Sequence, residues 1–314
     1  MAAPFRKMPA DLEAVAEPPE ADPFRYGWRP RYVRLPDGEV IEEQIPLTAE
    51  DLLDPQDGDV VGQSAYHFFL LILLADLLGR YYTDQKDVFV AGDLKMLWRI
   101  PGLKNPAPDI AVIPGVRDRE ADRKSFDVVA EGTRPWLVIE LVSSTDEETR
   151  NNDYDKKVRI YERARIPEYL ILDPPTSYTQ GRFLLTGHRL GPDGLYRPIA
   201  PDAQGRILSE TTGLLFAPPV SGRAVQVFEA ATGTLLLSSM AESEARKAAE
   251  KRAAAEWRRA EAERRRAEAA RRRAEAASQR AEEEKRRAEV EWQRAETAEA
   301  ELARLRAEIE RLKR

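Results

Sequence analysis

From Ser64 to Tyr82 the chain is apolar on most sides of a helical wheel and long enough for a buried helix. Just before it, PLTAEDLLD (Pro46–Asp54) sets Thr48 three residues ahead of Asp51, an N-cap pattern that predicts a short helix. Three runs then read as strands, DVFVAG (Asp87–Gly92), DIAVIP (Asp109–Pro114) and WLVIELV (Trp136–Val142). Each is rich in β-branched residues and bounded by Gly, Pro or Asp. The stretch Asp146–Ile166 carries Val158, Tyr161 and Ala164 or Arg165 at 3–4 spacing, which predicts a helix ended by Pro167. EYLILDP (Glu168–Pro174) reads as another strand, and Arg182–Ala200 as a hairpin whose turn is set by Pro192, Asp193 and Gly194. The order helix, three strands, helix, strand predicts an α/β domain built on a mixed sheet, over residues 45–228.

The flanks follow other patterns. Residues 1–35 are rich in Pro, Ala, Asp and Glu without periodicity, and an N-terminal mobile arm is expected over 1–44. Residues 229–240 read as a linker. From 241 to 314 the chain is almost entirely Ala, Arg, Glu and Lys, with Ala253, Ala260, Ala267, Ala274, Ala281, Ala288, Ala295, Leu302 and Ile309 recurring every seven residues. A strict seven-residue period predicts a left-handed coiled coil. The companion positions three residues on are Glu or Ala until Leu305 and Leu312, so only the last two heptads have a good apolar seam. The expectation is weak self-association seeded near the C-terminus. The plainer alternative is a solvated single helix held by i,i+4 Glu–Arg pairs.

Charge sharpens this division. The tail holds 22 basic and 18 acidic residues, net +4, and the rest of the chain 27 and 37, net −10. An acidic body argues against tight, sequence-independent DNA binding, which rests on neutralising phosphates, but is compatible with a metal-filled acidic pocket. There is no cysteine, which excludes disulfides, thiolate zinc sites and cysteine nucleophiles. The N-terminus lacks a basic segment followed by an apolar core. The longest apolar run, Phe68–Leu78, is interrupted by Asp76 and too short to span a bilayer. A cytoplasmic protein is the plain expectation.

One residue breaks the pattern. Glu140 sits in the middle of a strand that otherwise reads as buried, on the same face as Val138 and Val142. A buried carboxylate costs several kcal/mol unless it is paired or binds a cation, on the order of the known ionic burial penalties. Asp109 opens another strand, and two carboxylates on adjacent strands repel each other. A hard cation such as Mg²⁺ resolves that repulsion, and could then polarise a phosphoryl oxygen and acidify a bound water. The helix that follows offers Asp153, Lys157 and Tyr161, each four apart and on one face. Taken singly, Asp153–Lys157 is an everyday surface pair and Asp109 a Pro-Asp turn. Together with Glu140 they suit metal-assisted phosphodiester hydrolysis.

PDIAVIPG followed by WLVIELVSSTDEETRNNDYDKKVRIYERARIPEYLILDP resembles the Uma-type restriction endonuclease family, a branch of the PD-(D/E)XK nuclease superfamily. The likeness covers about 45–185 well and thins out towards 225. It implies a restriction-endonuclease-like mixed sheet flanked by helices, with Asp109 and Glu140 as ligands of Mg²⁺, or of Mn²⁺ in its place. It also implies that the backbone carbonyl of Leu141 completes the metal shell. Where the superfamily carries a catalytic Lys two residues after the second acid, this chain has Val142, and the resemblance implies that Lys157 supplies that charge from the following helix. The usual Ser-Pro after the second acid is Ser143–Ser144 here. Asp153 and Tyr161 fall on the family's helix motif, and Asp173 on its closing strand. His67 reads first as a satisfied core residue, and as a supporting site residue if it matches the family's histidine in the first long helix.

Three functional readings follow. The first is an endonuclease cutting nucleic acid, DNA in the first place. The second is an inactive nuclease fold kept as a binding module and assembled as a homo-oligomer through residues 241–314; the acidic body and the missing Lys at 142 favour it. The third is a mainly structural coiled-coil protein, which the intact set of acids disfavours.

Overall fold

A computed structural model of the chain describes residues 22–143, 147–221 and 223–312. It comprises two units, 1–240 and 241–314.

The first unit begins with the strands β1 (Trp28–Arg34) and β2 (Val40–Pro46). Next come helix α1 (Ala65–Tyr81) and the strands β3 (Phe89–Gly92), β4 (Lys95–Leu97), β5 (Ile110–Ile113) and β6 (Ser125–Asp127). The short helix α2 (Val128–Glu131) leads to β7 (Leu137–Leu141), and helices α3 (Glu147–Asn151) and α4 (Lys157–Arg163) lead to β8 (Glu168–Asp173). The strands β9 (Leu184–Leu190), β10 (Tyr196–Pro198), β11 (Ile207–Ser209), β12 (Leu214–Ala217) and β13 (Gln226–Glu229) complete it.

Six strands form one sheet in the order β10-β9-β8-β7-β5-β3. Only β7 and β8 run parallel, because the connection between them crosses over through α3 and α4, as a parallel pair requires. The central strands β5, β7 and β8 are buried at every position. Hence their near-continuous apolar runs, the signature of strands covered on both faces. On one face Val138, Val142, Tyr169 and Ile171 pack with Ile160 and Tyr161 of α4. On the other, Leu137, Ile139 and Leu141 meet Leu70, Leu74, Leu77 and Leu78 of α1. Each of those leucines contributes about 1.5–3 kcal/mol by leaving water. The small sheet β11-β12-β13 adds Ile207, Leu214, Phe216 and Val227 to the same core.

Several expectations change. The arm expected over 1–44 gives way, within the described residues, to an antiparallel hairpin in which Val33 pairs with Ile41; residues 1–21 lie outside the description. Thr48 and Asp51 do bond reciprocally, Thr48 N–H and Oγ1 donating to Asp51 Oδ2 at 2.8 and 2.6 Å, but they start a single 3₁₀ turn, Asp51–Leu53. The one helix expected over 146–166 is broken by a π-helical turn, Asn152–Lys156, between α3 and α4. β13 runs to Glu229 and the next helix starts at Ser239, so the linker is shorter than 229–240. Ser144, part of the altered turn after Glu140, lies outside the described residues.

The second unit belongs to helix α5 (Ser239–Leu312), a 74-residue run. From Ala241 onward its residues are almost all exposed, with i,i+4 pairs such as Arg265–Glu261 and Arg271–Glu275 along it. No helix among the described residues is long and apolar enough to cross a membrane.

Candidate active site

The β5–β7 register builds the site. Ile110 pairs with Ile139 and Ala111 with Val138; continued by one residue, that antiparallel ladder sets Asp109 opposite Glu140. A further bond fixes the corner, since the Leu141 N–H donates to Asp109 Oδ2 at 2.6 Å. The other Asp109 oxygen meets His67 Nε2 at 2.9 Å. His67 reaches it because Ser64 caps α1, its Oγ accepting from the His67 N–H at 3.1 Å, so the imidazole stands in the first helical turn.

Glu140 is 1% exposed and points to the face covered by α4. Lys157 Nζ donates to its Oε2 at 2.8 Å, and the Tyr161 hydroxyl to its Oε1. The same ammonium lies 2.8 Å from Asp153 Oδ1. The π turn carries Asp153 and ends beside Lys157, where an extra residue in the helical turn is often found at functional sites. Val142, at the position where the superfamily has its lysine, is 1% exposed in the apolar core.

All seven residues singled out in the sequence are therefore brought together. His67, Asp109, Glu140, Leu141, Asp153 and Lys157 line one cleft of about 810 Å³, and Tyr161 stands behind Glu140. His67 is buried, as the core reading has it, with Asp109 as its partner, while its Nδ1 is buried without one among the described residues. The sequence reading missed Asp93. It follows β3, whose Gly92 pairs with Ile110, so the register places it across from Asp109 and makes a row of three acids over three strands. Its N–H donates to the Asp109 carbonyl, and Gln63 Nε2 donates to its carboxylate at 2.9 Å. Only the strand pairing reveals it. Asp173 and Glu168, also buried acids, face elsewhere: Asp173 accepts from Arg150 and Tyr154.

The electrostatics are lopsided. Burial, and then the charges of Asp109 and Asp153, push the Glu140 carboxyl well above its ordinary value in spite of Lys157. Burial also raises Asp153 against the pull of Lys157. For Asp109 burial is outweighed by His67, Lys157 and the Leu141 N–H, and its pKa is lowered. Lys157 is held above its usual value, because Asp153, Glu140 and Asp109 outweigh its burial. Four acids, counting Asp93, thus face one lysine and one histidine.

That excess of buried negative charge is what a divalent cation would neutralise. Among the described residues no three His, Asp or Glu side chains converge as a full protein cage. Mg²⁺ does not need one, since it keeps several waters and takes one or two carboxylates. Asp109 and Glu140, opposed on neighbouring strands, fit that mode of binding.

No curated protein matches the chain. Among solved structures it is distantly similar to "a putative nuclease belonging to DUF820" from Anabaena variabilis, with 13% identity and a TM-score of 0.34 over 56% of this chain and 81% of that one. The model of the Uma2 family matches residues 35–219, a span that takes in more than half of the chain and every residue of the cleft named above. The chain belongs to the Uma2 family, described as "Putative restriction endonuclease".

Proposed function

We propose that this chain is a Mg²⁺-dependent endonuclease that hydrolyses phosphodiester bonds of nucleic acid, DNA in the first place, with Mn²⁺ able to replace Mg²⁺. The observation that carries this reading is the opposition of Asp109 and Glu140 in one cleft, with the Lys157 ammonium on Glu140. Asp109, Glu140 and the Leu141 carbonyl would hold the ion. When bound, it supplies a Lewis acid that polarises a phosphoryl oxygen and acidifies water.

The chain's own groups do the rest. His67 and the Leu141 N–H fix the Asp109 carboxylate, and Tyr161 fixes that of Glu140. Asp153 anchors Lys157, whose side chain is 12% exposed and whose charge is secure. From there the ammonium stabilises the negative charge that develops on the phosphoryl group, a contribution of the oxyanion-hole kind. Lys157 on α4 thus replaces, from a different element, the charge that Val142 lacks.

One observation favours the inactive binding module instead: the body's net charge of −10 repels phosphates. The two readings part on the ion. Calorimetric titration with Mn²⁺ should show one ion bound by wild type and none by Glu140→Gln or Asp109→Asn, with circular dichroism unchanged. Cleavage of plasmid or single-stranded DNA should vanish in the same variants. Equal traces of cleavage in wild type and Glu140→Gln would sink the nuclease reading, and absence of ion binding by wild type would favour the module.

A further inference from the structure

Helix α5 carries a change of pattern near residue 294. Upstream, the companion positions of the heptad include Glu256, Glu263, Glu284 and Glu291, which interrupt any apolar seam. From Ala295 the seam is unbroken through Ala298, Leu302, Leu305, Ile309 and Leu312, a span of about 25 Å at ~1.5 Å per residue. Its large side chains stand out from the helix: Leu302 is 54% exposed, Leu305 52% and Ile309 52%.

The charges beside that seam change at the same place. In a parallel pair, the residue just before each first seam position faces the residue five further on in the other copy. Upstream no such pair is attractive and three set like charges together: Arg259 with Arg264, Arg266 with Arg271, and Arg280 with Lys285. From 294 they are opposite: Arg294 with Glu299, and Glu301 with Arg306. Two independent patterns, apolar seam and charge, thus switch from hostile to favourable within one heptad.

The geometry points to a parallel homodimer formed by residues 294–312 of two copies of this chain, with the helices upstream held apart by their arginines. Orientation follows from the charges. In an antiparallel pair, Glu301 of one copy faces Glu308 of the other, so its two attractive Glu299–Arg306 pairs are offset by two Glu–Glu pairs, whereas the parallel pair has attractive pairs alone. Overlapping nearly the whole tail antiparallel is worse, because it sets Leu302 against Glu256 and Leu312 against Arg246. In the last heptad, Ile309 at the first seam position with Leu312 at the second also favours two strands over three or four. The seam is short, so the dimer is weak and concentration-dependent. The inference rests on α5 alone and stands or falls independently of the nuclease reading.

Sedimentation equilibrium of the full chain tests it. The mass should rise from 35.5 kDa towards twice that value as concentration increases. Glu301→Lys turns two attractive pairs per dimer repulsive and should weaken the dimer about tenfold, from a few tenths of a kcal/mol per pair in each direction. Adding Arg306→Glu to it should restore the association. Because the chain has no cysteine, Ala295→Cys reports orientation directly. Mild oxidation should link two copies in the parallel arrangement, whereas an antiparallel one puts the thiols far beyond disulfide reach. A monomer at every concentration overturns the proposal, as does a dimer indifferent to both charge changes. A dimer that Ala295→Cys fails to cross-link overturns its parallel form.

Discussion

Glu168 opens β8 and is fully buried, yet it holds a charge. Its Oε1 accepts from Arg189 Nε at 2.8 Å and the Glu210 N–H at 3.0 Å. Its Oε2 accepts from the Ser209 hydroxyl, the Thr211 hydroxyl at 2.7 Å and the Thr211 N–H at 3.2 Å. The acid therefore clips the main sheet to the loop between β11 and β12. Replacing it by glutamine keeps one acceptor oxygen and turns the other into a donor. The amide retains the three-donor side, and Arg189 and the Glu210 N–H lose their acceptor. Two charged hydrogen bonds at roughly 1.5–3 kcal/mol each would give more than 3 kcal/mol, but Arg189 is a third exposed and can turn to water. We expect Glu168→Gln to cost about 3 kcal/mol, a fall of about 1 M in the urea midpoint at an m-value of ~2–3 kcal/mol/M. Near-UV circular dichroism is the probe of choice, because it reports packed aromatics such as Tyr161 and Tyr169 rather than the helical tail. The pH dependence checks the cause. Burial works to raise the Glu168 carboxyl, but the bonds from Ser209, Thr211, Arg189 and the Glu210 N–H hold it below its ordinary value. Such a group stabilises the fold above its unfolded pKa, about 4.3 for a glutamate, and the benefit fades as pH falls towards the folded value. The gap between wild type and variant should be full at pH 7 and begin to narrow only below about pH 4 on that account. A gap that does not change with pH, or a variant as stable as wild type, would refute the reasoning.

Other expectations concern the cleft and its frame. With Mg²⁺ at about 100 times its Kd, wild type should gain roughly 2.7 kcal/mol in thermal unfolding, a gain that EDTA reverses and Glu140→Gln lacks. Lys157→Met should lower cleavage about 10²–10³-fold, and Mn²⁺ should raise its melting temperature more than that of wild type, because Glu140 and Asp153 have lost their internal cation; an unchanged rate would remove Lys157 from catalysis. Gly187→Ala should cost about 1–3 kcal/mol without touching ion binding, since its Cβ would lie 2.9 Å from Leu170 Cδ2 and 3.1 Å from Ile199 Cδ1. Urea midpoints and Mn²⁺ calorimetry on that variant check both halves.

What could be read from the chain depended on where the information lay. The central strands and α1 declared themselves through continuous apolar runs, and Glu140 by contradicting one. Asp153, Lys157 and Tyr161 were legible because spacing along a helix sets a shared face. Asp93 was not, because only the pairing of β3 with β5 carries it to Asp109. His67 was obscured by its apolar neighbours; what matters is that the helix begins at the end of the sheet. The β1–β2 hairpin has half-exposed strands with weak alternation, and its one clear sequence signal is the turn Pro36-Asp37-Gly38, where Gly38 takes φ +92°. Glu168 looked like the polar start of a strand, since its five donors come from segments 21 to 43 residues further on.

The π turn at Asn152–Lys156 has a consequence for how this cleft could change over generations. It holds one residue more than a regular turn and takes up that residue within itself, so the helix on either side keeps its phase. Losing a single residue there would restore an ordinary helical turn and leave Lys157 and Tyr161 on Glu140, with only the turn that carries Asp153 rebuilt. A single-residue gain or loss between Lys157 and Tyr161, where no such turn absorbs it, would instead turn the helix beyond it by about 100°, the angle between successive helical residues, and carry Tyr161 off Glu140. Tolerance to one-codon changes beside this cleft is therefore concentrated in the π turn.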